Sequence, residues 1–186
     1  VSRRSRLRAP LLLIPALLLS GSGCAVIGSD DVDSGAAEEA LLGQRDAVAE
    51  TAQGLVAASH DVFGGEVLES RGGWQGCTGR FPEGYEDFRY TADVRLEAAP
   101  GSAQDVSAAL RAIAEQSGYA VEQTGSADPD DPVRVTDGSV SASLMDVPDL
   151  GTEGDVLIRL SADPCVAVPE DEWQDWMSRE DPGPQI

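Results

Sequence analysis

Residues 36–60 carry helical periodicity. Leu41, Arg45, Val48, Ala52, Leu55, Val56 and Ser59 fall on or near one face, while Glu38, Glu39, Asp46, Glu50 and Gln53 lie mostly elsewhere. The apolar members are small, which suits close packing on a sheet, and Phe63 with Gly64-Gly65 ends the element. Residues 66–72 have the pattern of a short strand, followed by a Gly-rich turn or irregular edge at 72–79. The clearest period of two runs over 86–98. Phe88, Tyr90, Ala92, Val94, Leu96 and Ala98 alternate with Arg89, Thr91, Asp93, Arg95 and Glu97, which predicts a half-buried strand with one polar face.

Pro100-Gly101 closes that strand. A second helix is expected over 103–117, opened by a capping-box-like Ser102 and Asp105, patterned by Val106, Ala109, Leu110 and Ile113, and stopped at Gly118. Short strands are expected at 119–122, 133–135, 139–145 and 155–161, and one or two amphipathic turns at 170–179 with Trp173, Trp176 and Met177 toward the core. The order α, β, β, α, then several β predicts an α+β two-layer sandwich: a mainly antiparallel sheet packed by two helices, with one disulfide. The expected organisation is a signal segment at 1–24, an acidic tether at 25–35, a single domain at 36–180 and a loose tail at 181–186.

The amino-terminal segment changes the picture from a plain soluble domain to an exported one. A basic stretch with Arg3, Arg4, Arg6 and Arg8 precedes the apolar run 11–19 and the small residues before Cys24, the parts of an export signal. The run is too short to span about 30 Å of hydrocarbon as a helix. Ser22-Gly23-Cys24 resembles a bacterial lipobox, with Gly21 where an aliphatic residue is usual. Lipid attachment at Cys24 and contact with the membrane through that anchor are the expectation. Arg3-Arg4 leaves both general and twin-arginine export open.

Charge then excludes a class of partners. The chain has 33 acidic residues, 13 arginines and no lysine, a net charge of −20. Setting aside the first 24 residues removes four arginines and no acid, leaving a net charge of −24. Such a surface repels phosphate backbones, so no nucleic-acid partner is expected. Of three cysteines, Cys24 belongs to the signal. Cys77 and Cys165 are expected to pair in an oxidising compartment, and Trp74 to pack on their bridge. Two isolated cysteines and one histidine make a poor zinc set, and no metal or cofactor is expected.

No nucleophile elbow, metalloprotease helix, phosphate loop or kinase signature is present. His60 is read as a surface residue at the end of the first helix. Asp128, Asp130, Asp131 and Asp137 lack the spacing of a calcium loop and are read as acidic turns. Trp74 is the possible ligand contact, because tryptophan can line a sugar or peptide cleft.

The export signal ending at Cys24, the following helix, the W-x-x-C of Trp74–Cys77, a strand, the S-x-x-D-V helix at Ser102–Val106 and the late strand before Cys165 together resemble small actinobacterial cell-envelope lipoproteins, those similar to mycobacterial LppA. The resemblance spans residues 36–168 and implies a cell-envelope location without a defined activity. The functional expectation is a non-enzymatic binding or interaction domain held at the outer face of the cytoplasmic membrane, with an envelope protein as a possible partner. The alternatives are an envelope hydrolase using a carboxylate pair, or a structural accessory of assembly.

Overall fold

Helix α1 (Ser34–Phe63) begins where Asp33 Oδ1 accepts the Ala36 N–H at 2.7 Å, a side-chain N-cap, and ends where the Gly64 N–H meets the His60 carbonyl. The computed structural model describes residues 32–80, 84–97, 106–122, 133–146 and 155–186. One face of α1 is buried through Ala37, Leu41, Val48, Ala52, Leu55, Val56 and Phe63, and packs on strands β2 (Gly84–Leu96) and β6 (Val156–Ala162). The helix starts inside the segment expected to be a tether. Most of that tether and the signal segment lie outside the described residues.

The sheet runs β1 (Val67–Arg80), β2, β6, β5 (Val140–Asp146), β4 (Val133–Thr136), β3 (Ala120–Glu122), with every pair antiparallel. β7 (Val166–Ala167) continues past β6 and pairs with Asp87 and Phe88 of β2. Helix α2 (Val106–Gln116) covers β3, β4 and β5, and α3 (Trp173–Ser178) covers β1 and β2. This is the expected α+β two-layer arrangement. The buried apolar side chains of the strands, from Tyr90 and Phe88 to Leu144 and Ile158, point to the helix side and form one core. Among the described residues, no helix lies on the opposite face.

Three local readings change. The Gly-rich segment takes the irregular-edge alternative and not the turn: β1, at the end of the sheet, continues through it with register shifts after Gly76 and Thr78, because the long ladder of β2 supplies partners for its backbone. β7 was not expected, since two residues carry no periodicity. Residues 181–186, expected to be loose, are docked. Asp181 pairs with Gly72 at the outer edge of β1, Asp181 Oδ1 accepts the Tyr90 hydroxyl at 2.7 Å, and the Ser70 hydroxyl donates to the Pro184 carbonyl at 2.9 Å. The cause is a buried phenol that needs an acceptor, and the tail also blunts an exposed strand edge. The Ser102–Asp105 cap lies outside the described residues.

Cys77 and Cys165 are joined. β1 and β7 flank β2 on opposite sides, and two strand spacings are about 9.5 Å, too far for a bridge. A register shift between the Gly76–Phe88 and Thr78–Asp87 pairs leaves Cys77 as the extra residue of a bulge, and the two Cα atoms come to 6.5 Å. Cys77→Ala should lower the free energy of unfolding by about 2–5 kcal/mol in denaturant titrations.

Burial raises the Tyr90 hydroxyl well above the ordinary tyrosine value, and the hydrogen bond to Asp181 and its charge push the same way. The neutral phenol is therefore the form the fold favours. Its contribution is complete below about pH 10 and declines as pH rises from there toward the folded value. With no lysine, and Tyr85 and Tyr119 as the other phenols, this alkaline range is unusually clean. Tyr90→Phe should cost about 1.5–3 kcal/mol at pH 8, as for a hydrogen bond to a charged group, and should lose less stability between pH 9 and 11 than the parent. Urea midpoints for both proteins across that range decide it.

Candidate functional site: a trough on the open sheet face

The helix-free face is organised in cross-strand rows, because side chains facing each other in paired strands share a face. One row runs Arg71, Asp93, Arg159, Ser143, Arg134 across β1, β2, β6, β5 and β4. The next runs Gly73, Thr91, Ser161, Ser141, Thr136 across the same strands. Beyond it Gln75 sits opposite Arg89. Long charged side chains thus flank a row that is entirely glycine, serine and threonine. Successive rows on one face are about 6.7 Å apart along the strands. The result is a trough of about 670 Å³, lined by Arg71, Gly73, Gln75, Thr91, Asp93, Arg159 and Ser161 among others.

Its polar groups are only partly used within the protein. Arg159 Nε donates to Asp93 Oδ1 at 2.9 Å, and an Arg71 Nη donates to Glu69 at 2.5 Å. The Thr91 hydroxyl makes a long 3.4 Å contact with the Gly73 carbonyl. At the far end Arg89 spans the groups beside the disulfide. Its Nε lies 3.1 Å from Cys77 Sγ, and one Nη reaches Asp163 at 3.1 Å and Ser161 at 3.4 Å. Asp163 in turn accepts the Ser141 hydroxyl at 3.0 Å. Arg95, further along the same face, pairs with Asp155, whose side chain is 1% exposed.

Of the residues singled out from sequence, Trp74 is among those lining the trough, although its ring turns to the other side of β1; the others are not among them. Cys24 lies outside the described residues. Trp74 is 8% exposed, and its ring stacks edge-on against Tyr90 and Trp176, with the Arg179 guanidinium over the pair. It belongs to the core side of β1, while Cys77 meets Arg89 on the open side, so Trp74 does not pack on the disulfide as expected. His60 is exposed at the end of α1. Asp137 is a turn residue. Burial would raise its carboxyl, but the N–H groups of Ser139 and Val140 and the Ser139 hydroxyl outweigh this and hold it below the usual range. Asp128, Asp130 and Asp131 lie outside the described residues. Asp87 is within 4.8 Å of both bridged sulfurs, but those sulfurs are bonded to each other and Asp87 Oδ1 accepts from the backbone and hydroxyl of Thr78.

The trough holds one carboxylate among its lining residues, Asp93, and that is bound to Arg159. Acid–base hydrolysis of a glycosidic bond requires two facing carboxyl groups. What this face offers chemically is donors, acceptors and an open floor. The sequence signal for it was the polar half of each alternating strand, which names a solvent-facing side without saying that the rows would align.

Gly72 and Gly73 separate structure from site. A Cβ on Gly72 would fall on the Tyr90 hydroxyl, so the fold demands glycine there. A Cβ on Gly73 would meet nothing within 4 Å, and its backbone is not left-handed, so the fold makes no such demand. Gly73→Thr should leave stability unchanged or raise it by up to about 1 kcal/mol, whereas Gly72→Ala should lower it by about 1–3 kcal/mol. Parallel thermal and urea unfolding of the two variants checks the contrast.

Among the described residues no helix is long and apolar enough to cross a membrane. Comparison of the chain with protein-family models, with curated proteins and with solved structures gave no match.

Proposed function

We propose that this protein is an exported, lipid-tethered binding domain that holds its ligand in the trough on the open sheet face. The observation that carries the reading is the row of Gly73, Thr91, Ser161, Ser141 and Thr136 between charged rows, on a face no helix covers. A sheet face with a polar floor and partly committed donors is a surface for recognition, and the single ion-paired carboxylate argues against the hydrolase alternative. The export signal before Cys24 supports placement outside the cytoplasm, and so does the Cys77–Cys165 bridge, since such bonds persist in oxidising compartments. The likeness to small actinobacterial envelope lipoproteins points the same way. Acyl chains on Cys24 would hold the domain at the outer face of the cytoplasmic membrane, with the sheet face directed by the fold and not by the anchor.

Two variants separate the anchor from the binding face. Cys24→Ala should move the protein from the membrane to the soluble fraction and remove the acyl mass from its amino terminus. Gly73→Leu should stay at the membrane, keep its stability, and lose a noncovalent ligand mass that native mass spectrometry detects on the parent protein. A parent that carries no added mass, or a Gly73→Leu protein that carries the same added mass as the parent, would oppose the binding reading. A Cys24→Ala protein that remains in the membrane fraction would oppose the anchor.

A further inference from the structure

We infer that the Cys77–Cys165 bridge is a thiol-exchange site that opens in one direction: an external thiol without negative charge joins Cys165, and Cys77 leaves as the thiolate. This property is independent of any ligand in the trough. Both cysteines are half-buried, and each has an exposed chain neighbour, Thr78 beside Cys77 and Pro164 beside Cys165. The bridge joins two segments that β2 already holds, β1 through its long ladder and β7 through Asp87 and Phe88. Opening it removes a brace and leaves both pairings in place.

The two sulfurs differ in what faces them. The Arg89 Nε–H donates toward Cys77 Sγ at 3.1 Å, whereas among the described residues no hydrogen bond reaches Cys165 Sγ. The guanidinium is held there from its other end, where one Nη reaches Asp163 at 3.1 Å and Ser161 at 3.4 Å. Pairing with Asp163 offsets the charge of Arg89 but leaves its Nε–H aimed at the sulfur, and a directional donor stabilises a thiolate more than a neutral sulfur. Asp87 lies within 4.8 Å of both sulfurs, so its charge opposes a thiolate at either. Arg89 is the group that tells the two apart. A disulfide releases more readily the sulfur that is the better-stabilised thiolate.

In the first step the incoming thiolate forms a bond to Cys165 Sγ, the Cys77–Cys165 bond breaks, and its electron pair stays on Cys77 Sγ. A second thiol then displaces Cys165. Two external thiols are oxidised to one disulfide, and the bridge takes up two electrons and two protons. Nearby charge sets the class of thiol. Arg89 is offset by Asp163, and Asp87, whose hydrogen bonds come from Thr78, adds a negative charge. A thiol that carries a carboxylate is repelled there, and an uncharged one is not.

The test treats the purified, folded protein briefly with 2-mercaptoethanol, quenches it in acid, alkylates it with N-ethylmaleimide and maps both labels by peptide fragmentation. Mercaptoethanol on Cys165 with N-ethylmaleimide on Cys77 should exceed the reverse by about threefold or more, and Arg89→Met should erase the excess and slow opening by a similar factor. Mercaptoacetate, compared at equal thiolate concentration, should open the bridge more slowly than mercaptoethanol, and added salt should narrow the difference. Mercaptoethanol found equally on both cysteines, or mainly on Cys77, would overturn the direction, and the parent alone decides this whether or not Arg89→Met folds. An unchanged excess in a folded Arg89→Met would overturn the role of Arg89. Mercaptoacetate reacting as fast as mercaptoethanol would overturn the class of thiol. A bridge that reacts only in denaturant concentrations that unfold the domain would overturn the exchange site itself.

Discussion

Along β2 successive side chains point to opposite faces of the sheet, and both halves of the molecule are built on that alternation. Phe88, Tyr90, Ala92, Val94 and Leu96 point under the helices, while Arg89, Thr91, Asp93 and Arg95 point outward. β2 has neighbours on both edges, β1 on one side and β6 with β7 on the other, so its register sets theirs. A slip of one residue would place three charged groups beneath α1 and expose two large rings. Each buried large apolar side chain contributes about 1.5–3 kcal/mol, and an unpaired buried charge costs far more, so the register is strongly specified. The same alignment, read on the other face, assembles the trough. Core and site are therefore two consequences of one pairing, and neither can be shifted alone.

Where that pairing is interrupted, other parts of the chain meet. β6 leaves β2 after Ser161 opposite Thr91, and β7 rejoins it at Val166 opposite Phe88. In the gap, the Tyr90 N–H donates to Gln44 Oε1 of α1 at 3.0 Å, and the same carboxamide donates to the Pro164 carbonyl at 2.6 Å. A glutamine from the helix thus does for the backbone what a strand would have done. The Tyr90 hydroxyl reaches Asp181, which ties down the tail, and the disulfide crosses above on the open side. One residue of β2 thereby links the first helix, the strand crossover and the carboxy-terminal segment. The buried Asp155 is served in the same manner at the other end of the strand by Arg95.

The parts of this arrangement that were legible in the sequence are those where one physical signal dominates. The 86–98 alternation, the small apolar face of α1 and the Val156, Ile158, Leu160 stripe each follow from burial on one side alone, and the cysteine pair follows from number and the export expected from the amino-terminal segment. The rest depends on contacts between distant segments. Gly72 and Gly73 look alike in sequence, yet one is required by the Tyr90 hydroxyl and the other opens the trough, and only the pairing of β1 with β2 tells them apart. Residues 181–186 read as loose because Pro and Gly carry no periodicity, while their partners Gln53, Ser70 and Tyr90 lie more than 90 residues earlier in the chain. Trp74 was drawn toward the disulfide by its nearness to Cys77, whereas the bulge at Cys77 turns the sulfur to the opposite side of the sheet from the ring. The trough itself needed the alignment of three strands, β1, β2 and β6, which no single segment encodes.

The distribution of arginine sets the open face apart from the rest of the surface. Beyond the first 24 residues the chain has nine arginines, and five of them, Arg71, Arg89, Arg95, Arg134 and Arg159, stand on the outward side of the sheet. The surrounding acidic excess acts over distance, and the guanidinium groups act at contact. Potentials between exposed charges fade over about 8–10 Å in physiological salt. A long polyanion extends past that range and meets the acidic surface along its length, so it is repelled as a whole. On the sheet face itself the charges are met at contact, Arg71 by Glu69, Arg159 by Asp93 and Arg89 by Asp163. The charge pattern thus combines a general rejection of anionic polymers with a sheet face whose arginines are held in local ion pairs.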